Sequence, residues 1–288
     1  MSAVLARPSV ALHLLSANPS LKRHSVSLLR TRHVHPIRSS PGRLRLLCSL
    51  DSNATKAAAP SSNELSALVP GGKHLSLTDQ VYSYILRHTR EPQILQELRE
   101  EMAESPGSNM QIPPDQGQFL ALLVQLIGAK RCIEVGVFHG YSSLAVALVL
   151  PEGGRLVACD RDERSLTIAR EYYRRAGVLH KVDIRHGLAV DTLKSLLQNG
   201  DAGSYDYAFL DADKMMYREY YELLLQLVKP NGLIVVDNTL WYGRTADPLV
   251  NDKRTQFLRE FNKFLAVDER ISVSMVPIGD GMTLCRKQ

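Results

Sequence analysis

Between Arg131 and Leu265 the chain switches repeatedly between two hydrophobic periods. Short runs rich in Val, Ile, Leu and Tyr alternate with longer stretches whose apolar residues recur at helical spacing. The pattern predicts strands at 131–135, 155–160, 182–186, 205–211 and 233–237. Helices are expected at 141–149, 163–175, 189–197, 217–228 and 253–265, with Gly177 and Pro230 marking two helix ends. Two further strands, 271–276 and 282–285, are joined through Pro277 to Gly281 and read as a closing hairpin. Strands linked through helices must lie parallel, with the helices distributed over the sheet faces. The expected fold is therefore α/β, a doubly wound, mostly parallel seven-stranded sheet with a C-terminal antiparallel hairpin. Three helices should precede it: one capped by Thr78, one at 91–104 ended by Pro106-Gly107, and one at 115–127.

Sheets of this kind bind ligands beyond the carboxyl ends of their strands. Four of those ends carry an acid: Glu134, Asp160, Asp211 and Asp237. The first continues as Glu134-Val135-Gly136-Val137-Phe138-His139-Gly140-Tyr141-Ser142, a glycine turn opening a helix. This is not the G-x-G-x-x-G of dinucleotide enzymes, which weighs against a nicotinamide oxidoreductase. Gly136 allows close backbone approach, and Asp160, at the next strand end, can accept from ribose hydroxyls. Together they point to a nucleoside ligand, although a plain structural turn would use the same residues. The fourth strand runs into Asp211-Ala212-Asp213-Lys214 and the fifth into Asp237-Asn238-Thr239-Leu240-Trp241. Neighbouring strands would bring Asp211, Asp237 and Asn238 together as oxygen donors, a set that favours Mg²⁺, Mn²⁺ or Ca²⁺ over zinc. Solvated strand-end acids are the simpler alternative. His139 and His186 are expected to be structural or solvent-facing.

The formal charge of +5 divides unevenly along the 288 residues. Residues 1–60 hold nine cations and a single anion, Asp51, for a net +8; the rest carries 26 cations and 29 anions, a net −3. The basic excess is thus no nucleic-acid footprint of the folded part. Residues 1–50 are rich in Arg and Ser and hold no acid, the composition of an organelle transit peptide. Pro8, Pro19, Pro36 and Pro41 break any long amphipathic helix, which favours a chloroplast over a mitochondrial address. Processing is expected near Cys48, and 51–70 reads as a linker to a catalytic domain at 71–288. No uncharged apolar run approaches the roughly 18 residues of a membrane span. Cys48, Cys132, Cys159 and Cys285 show no metal-ligand spacing and read as reduced thiols.

The segments EVGVFHGYSS, AGVLHKVDIRHG, FLDADK, VDNTLWYG and GDGMTLCR, in this order, resemble the cation-dependent, S-adenosylmethionine-dependent O-methyltransferases of the caffeoyl-CoA and catechol type. The resemblance runs from about Lys73 to Arg286 and implies a Rossmann-like methyltransferase fold. It implies that Glu134, Gly136, Val137, Ser142, Asp160, Ala189 and Asp213 contact S-adenosyl-L-methionine. It implies that Asp211, Asp237 and Asn238 hold a divalent cation, Mg²⁺ in the first instance. Asp211 and Lys214 become the catalytic candidates, Lys214 helping deprotonation or stabilising negative charge. Lys73, Trp241 and Tyr242 become the acceptor contacts. Tyr242 departs from the Asn of plant caffeoyl-CoA members, and the segment Gly243 to Lys253 is shorter than theirs. The acceptor class implied is a small phenol with vicinal hydroxyls, and the assembly a homodimer. Bacterial relatives that methylate a hydroxylated tRNA uridine supply the rival reading, for which the cluster Arg170, Arg174, Arg175, Lys181 and Arg185 is the relevant feature.

Overall fold

The computed structural model describes residues 75–288. The expected transit peptide, the linker, Cys48 and Lys73 lie outside the described residues. Among the described residues eight α-helices and seven strands are found, in the order α1 (Asp79–His88), α2 (Gln93–Glu101), α3 (Pro114–Leu126), β1 (Arg131–Val135), α4 (Tyr141–Val149), β2 (Arg155–Asp160), α5 (Glu163–Arg175), β3 (Val182–His186), α6 (Ala189–Gln198), β4 (Tyr205–Leu210), α7 (Tyr217–Leu227), β5 (Val228–Val236), α8 (Lys253–Ala266), β6 (Ile271–Val276) and β7 (Met282–Lys287). The strands form one sheet in the order β3-β2-β1-β4-β5-β7-β6. The first five are parallel, and β7 inserts antiparallel between β5 and β6. The doubly wound sheet and the closing hairpin match the expectation.

Alternation along each strand divides the core in two. Cys132, Tyr207, Phe209, Leu233 and Val235 face a layer built on α2, α3, α4 and α5. Ile133, Val135, Ala208, Leu210, Ile234 and Val236 face a second layer built on α6, α7 and α8. Burial of both strand faces explains why the parallel strands read as continuous apolar runs. Helix α1 contributes no buried residue and meets α3 through a 3.1 Å bond from Tyr82 Oη to Asp115 Oδ1.

Two elements differ from the sequence reading by three residues or more at one end. Helix α2 is shorter at both ends than 91–104. Glu91 precedes Pro92, whose ring disfavours helical geometry in the residue before it. Its carboxylate instead accepts from Arg99 at 3.0 and 2.8 Å and from Tyr141 Oη at 2.6 Å. Strand β5 begins at Val228 rather than at 233. Val228 pairs with Tyr205, the register then shifts, and pairing resumes with Leu233 opposite Tyr207. The intervening residues include Pro230, which has no N–H to give to a ladder, and Asn231 at φ +66°.

Candidate active site

A cavity of about 2330 Å³ opens over the carboxyl ends of β1, β2, β4 and β5. A site for one drug-sized ligand holds roughly 300–1,000 Å³, so this volume accommodates two ligands side by side. Of the residues singled out in the sequence, Gly136, Val137, Ser142, Asp160, Ala189, Asp211, Asp213, Lys214, Asp237, Asn238, Trp241 and Tyr242 line it. Glu134 does not.

One half is built by the turn between β1 and α4. Gly136 has φ +92°, and a methyl group there would overlap the Asp211 carbonyl and lie 2.6 Å from its carbonyl carbon. The glycine is thus required where the ends of the paired strands β1 and β4 lie side by side, with Asp211 N–H donating to Val135 O at 2.8 Å. That reason is internal and stands beside the ligand approach expected from the sequence. The amides of Val137 and Phe138 both donate to Asp160 Oδ2, at 2.7 and 2.9 Å, and Asp162 N–H donates to Oδ1 at 2.9 Å. A carboxylate offers about four acceptor positions, so Asp160 ties the turn to β2 and keeps capacity for a hydroxyl.

Glu134 sits below this floor. It is 1% exposed and takes a 2.6 Å bond from Ser142 Oγ at Oε1, while Oε2 has no partner. Burial pushes its carboxyl up to about 8, and the charges of Asp211 and Asp160 add to the shift. A buried, half-satisfied carboxyl is costly. Here it braces Ser142 on the cavity wall. Asp213 is exposed and caps the following turn, accepting from Met215 N–H at 3.1 Å.

The other half follows β4 and β5. Lys214 Nζ lies 2.7 Å from Asp211 Oδ1, with both side chains largely buried. Asp237 is 1% exposed, and its Oδ1 accepts from Gln116 Nε2 of α3 at 2.8 Å. Burial raises the Asp237 carboxyl to about 8, with Asp211 as the second cause. Asn238 has φ +53°, a conformation that Asn tolerates better than most residues. Two neighbouring carboxylates, one buried and raised by the other, plus an amide oxygen fit a hard divalent cation that would neutralise them. Among the described residues no three His, Cys, Asp or Glu side chains gather as a metal cluster, so the set depends on Asn238 as well as on two acids. Thiols offer no alternative: Cys132, Cys159 and Cys285 are buried and free, and burial pushes Cys159 and Cys285 up to about 12.

Trp241 and Tyr242 form the outer wall, with ring centroids 5.5 Å apart. Both adopt positive φ, +48° and +55°, where bulky residues are strained. Tyr242 is 68% exposed, and the Arg254 guanidinium stands 5.6 Å from the Trp241 ring. His139 is buried against Phe138 at 3.7 Å, and His186 is exposed, so neither joins the oxygen donors. Three contributors escaped the sequence reading: Gln116, Asp280 and Arg254. Burial raises the carboxyl of Asp280, which accepts from Tyr242 N–H. Asp280 lies in the segment GDGMTLCR that shares in the family resemblance, but by spacing alone its G-D-G reads as an ordinary hairpin turn.

Comparison with known proteins identifies the family. Residues 86–288 match a family model described as O-methyltransferase. The chain is 43% identical over 226 residues to a caffeoyl-CoA O-methyltransferase of Eucalyptus gunnii, covering 75% of this chain and 91% of that protein. It is 44% identical over 227 residues to a caffeoyl-CoA O-methyltransferase of Petroselinum crispum, covering 75% and 94%. Among solved structures, the O-methyltransferase of Bacillus cereus in complex with SAH superposes with a TM-score of 0.65 at 32% identity, over 73% of this chain and 97% of that one. Fold, family model and relatives converge: the chain belongs to the S-adenosylmethionine-dependent O-methyltransferase family.

Proposed function

We propose that this protein transfers the methyl group of S-adenosylmethionine to one of two vicinal phenolic hydroxyls of a hydroxycinnamoyl-CoA ester, with a divalent cation, Mg²⁺ in the first instance, held by Asp211, Asp237 and Asn238. The observation that carries this reading is that those three oxygen donors and Lys214 line one cavity with the glycine turn, with room for donor and acceptor. The relatives named above supply the acceptor class.

A free phenol ionises near pH 10, so little phenolate exists at neutral pH. When bound, the cation supplies charge stabilisation for the phenolate. The residues of the chain do the rest. Asp160, itself fixed by the turn amides, takes the nucleoside end of the donor, and Ser142, braced by Glu134, lines its other end. Trp241 and Tyr242 wall the acceptor ring. The phenolic proton passes to solvent water at the mouth of the cavity, and the Lys214 ammonium, held by Asp211 Oδ1, stabilises the negative charge left on the oxygen. The phenolate oxygen forms a bond to the sulfonium methyl as the carbon–sulfur bond breaks, and its electron pair stays on sulfur. Orientation alone contributes several kcal/mol to such a two-substrate reaction.

The tRNA alternative finds no support. Acids outnumber Lys and Arg nine to four around the cavity. The basic cluster is neutralised locally: Arg170 by Glu163, Arg174 by Glu171, Arg175 by Glu97 and Glu101, and Arg185 by Asp183, while Lys181 donates to Leu150 O. Phosphate binding needs unpaired cations. Among the described residues no helix is long and apolar enough to cross a membrane.

The same proposal includes a plastid address in residues 1–50 and a homodimer through the exposed apolar residues of α1 and α3, such as Tyr84, Leu122 and Leu126. Import of a reporter fused to residues 1–60, and light scattering of residues 71–288, check these two points. The function is tested by methyl transfer to caffeoyl-CoA, to its mono-hydroxy analogue and to tRNA. Turnover of caffeoyl-CoA alone is expected; equal turnover of the mono-hydroxy ester would refute a requirement for vicinal oxygens.

A further inference from the structure

Beyond Trp241 the chain makes a tightly held detour. Trp241, Tyr242 and Gly243 adopt positive φ in succession, +48°, +55° and +76°. Bulky residues in this region persist only where the surroundings over-determine them. Residues 244–250 then run through consecutive turns towards α8. Arg244 pairs with Asp252 at 2.7 Å, and Asp252 caps α8 by accepting from Thr255 N–H at 3.1 Å.

Arg259, on the second turn of α8, reaches back to this detour. Its Nε donates to Thr245 O at 3.1 Å. Its Nη2 faces three more carbonyls: Asp247 O at 2.8 Å, Val250 O at 3.1 Å and Arg244 O at 3.4 Å. Carbonyls from one short stretch thus converge on a single guanidinium, and none of these partners is a side chain. Charged donors make the stronger hydrogen bonds. A planar fork of fixed donors suits such an array better than a flexible ammonium does. Asn262, one turn further along α8, donates from Nδ2 to Thr239 O at 2.7 Å and holds the start of the same segment. Arg259 does not line the cavity, whereas Trp241, Tyr242 and Gly243 do.

We infer that Arg259 is a positioning residue for acceptor binding, acting through the loop at 244–250 on the Trp241–Tyr242 wall. A wall set in place beforehand leaves less of the acceptor's binding free energy lost to ordering. Without the guanidinium the loop carbonyls turn to water, the loop gains conformations, and the two strained aromatic residues lose their support on the downstream side. The donor half is fixed independently, by the bonds from the Val137 and Phe138 amides to Asp160. Loss of Arg259 therefore weakens acceptor binding and leaves donor binding as it is.

The inference rests on the acceptor reading above, and the test separates the two. Trp241 is the only tryptophan of the chain, so its fluorescence reports on the wall directly. Acrylamide quenching of that fluorescence is measured on ligand-free wild-type protein and on Arg259→Met. Steady-state kinetics with caffeoyl-CoA and calorimetric titration of S-adenosylhomocysteine are run on the same two proteins. In Arg259→Met the quenching constant is expected to rise about twofold and the KM for caffeoyl-CoA about tenfold, with kcat and S-adenosylhomocysteine affinity changed by less than about twofold. Arg259→Lys, which keeps the charge without the fork, should fall between Arg259→Met and the wild type. Arg259→Gln is judged by the same criteria should Arg259→Met fail to fold. Unchanged quenching in a folded variant overturns the inference. Looser Trp241 with an unchanged KM overturns it too, as does an equal loss of S-adenosylhomocysteine binding, which would make Arg259 a general anchor of the fold. If wild-type protein methylates no caffeoyl-CoA, the acceptor reading falls, and quenching alone decides for or against the hold of Arg259 on the wall.

Discussion

Gly136→Ala tests whether the approach between the ends of β1 and β4 is as tight as the geometry indicates. Two costs add. A non-glycine residue at φ +92° loses about 1–2 kcal/mol of backbone energy. The new methyl would lie 2.6 Å from the carbonyl carbon of Asp211 and 3.1 Å from Ala212 Cα. Carbon–carbon contacts are comfortable at about 3.5–4.0 Å, so the end of β4 must move by roughly 1 Å. Both neighbours are backbone atoms, and no side-chain rotation can relieve the overlap. Overpacking of this kind costs about 1–3 kcal/mol. The total, about 4 kcal/mol, corresponds to a fall of about 10 °C in melting midpoint for a domain of this size. Two other glycines separate the contributions. Gly128 has φ +62° with nothing within 4 Å of a Cβ, so Gly128→Ala should show only the backbone cost. Gly153 has neither constraint, and Gly153→Ala should be neutral or slightly stabilising. Differential scanning calorimetry of the three variants ranks them directly. If Gly136→Ala melts within about 2 °C of Gly128→Ala, the approach of the strand ends yields easily and the reasoning fails.

Other outcomes follow from the same site. Lys214→Met should lower kcat about a hundredfold while leaving Mn²⁺ affinity intact; loss of both would make Lys214 a structural partner of the cation site. In protein without ligands the Glu134 carboxyl titrates near 8, above its unfolded value of about 4.3, so the native state holds an extra proton between those limits and stability falls as pH rises through that window. Glu134→Gln should flatten the fall in urea midpoint between pH 5.5 and 8.5; an unchanged slope would contradict the buried, protonated carboxyl. Tyr242→Asn should stabilise the turn after β5 by about 0.5–1 kcal/mol, since Asn accepts positive φ more readily. A lower melting midpoint for that variant would show that the exposed tyrosine ring contributes packing worth more than the strain.

The fold was legible because both periods are strong where the sheet is buried on both sides. Strands β1, β2 and β3 and helices α4 and α5 fall where the apolar spacing puts them. The reading failed where tertiary contacts decide. Glu91 was counted as helical because its neighbours are, yet Pro92 and the bonds to Arg99 and Tyr141 pull it out. The early start of β5 depends on pairing with Tyr205 across a register shift, which no local spacing records. The site divides the same way. Asp211, Asp237 and Asn238 were visible as strand-end oxygens, and adjacency of β4 and β5 brings them into one cavity. Gln116 looks like a surface residue at a helix start, and only the packing of α3 over β5 buries it against Asp237. Asp280 belongs to a turn that is 42 residues from Asn238 in sequence, and the hairpin alone places it there. At Gly136 the spacing marks a position that must lack a side chain, and the Asp211 carbonyl, which no local pattern reveals, adds an internal reason for it.

The most direct test of the account is methyl transfer from labelled S-adenosylmethionine to caffeoyl-CoA by protein stripped with chelator and then assayed with and without Mg²⁺ or Mn²⁺. The account predicts no detectable transfer in excess chelator, recovery on adding either cation, and no recovery in Asp237→Ala. Full activity in excess chelator would contradict it, because Asp211, Asp237 and Asn238 would then have some purpose other than holding a cation against the acceptor.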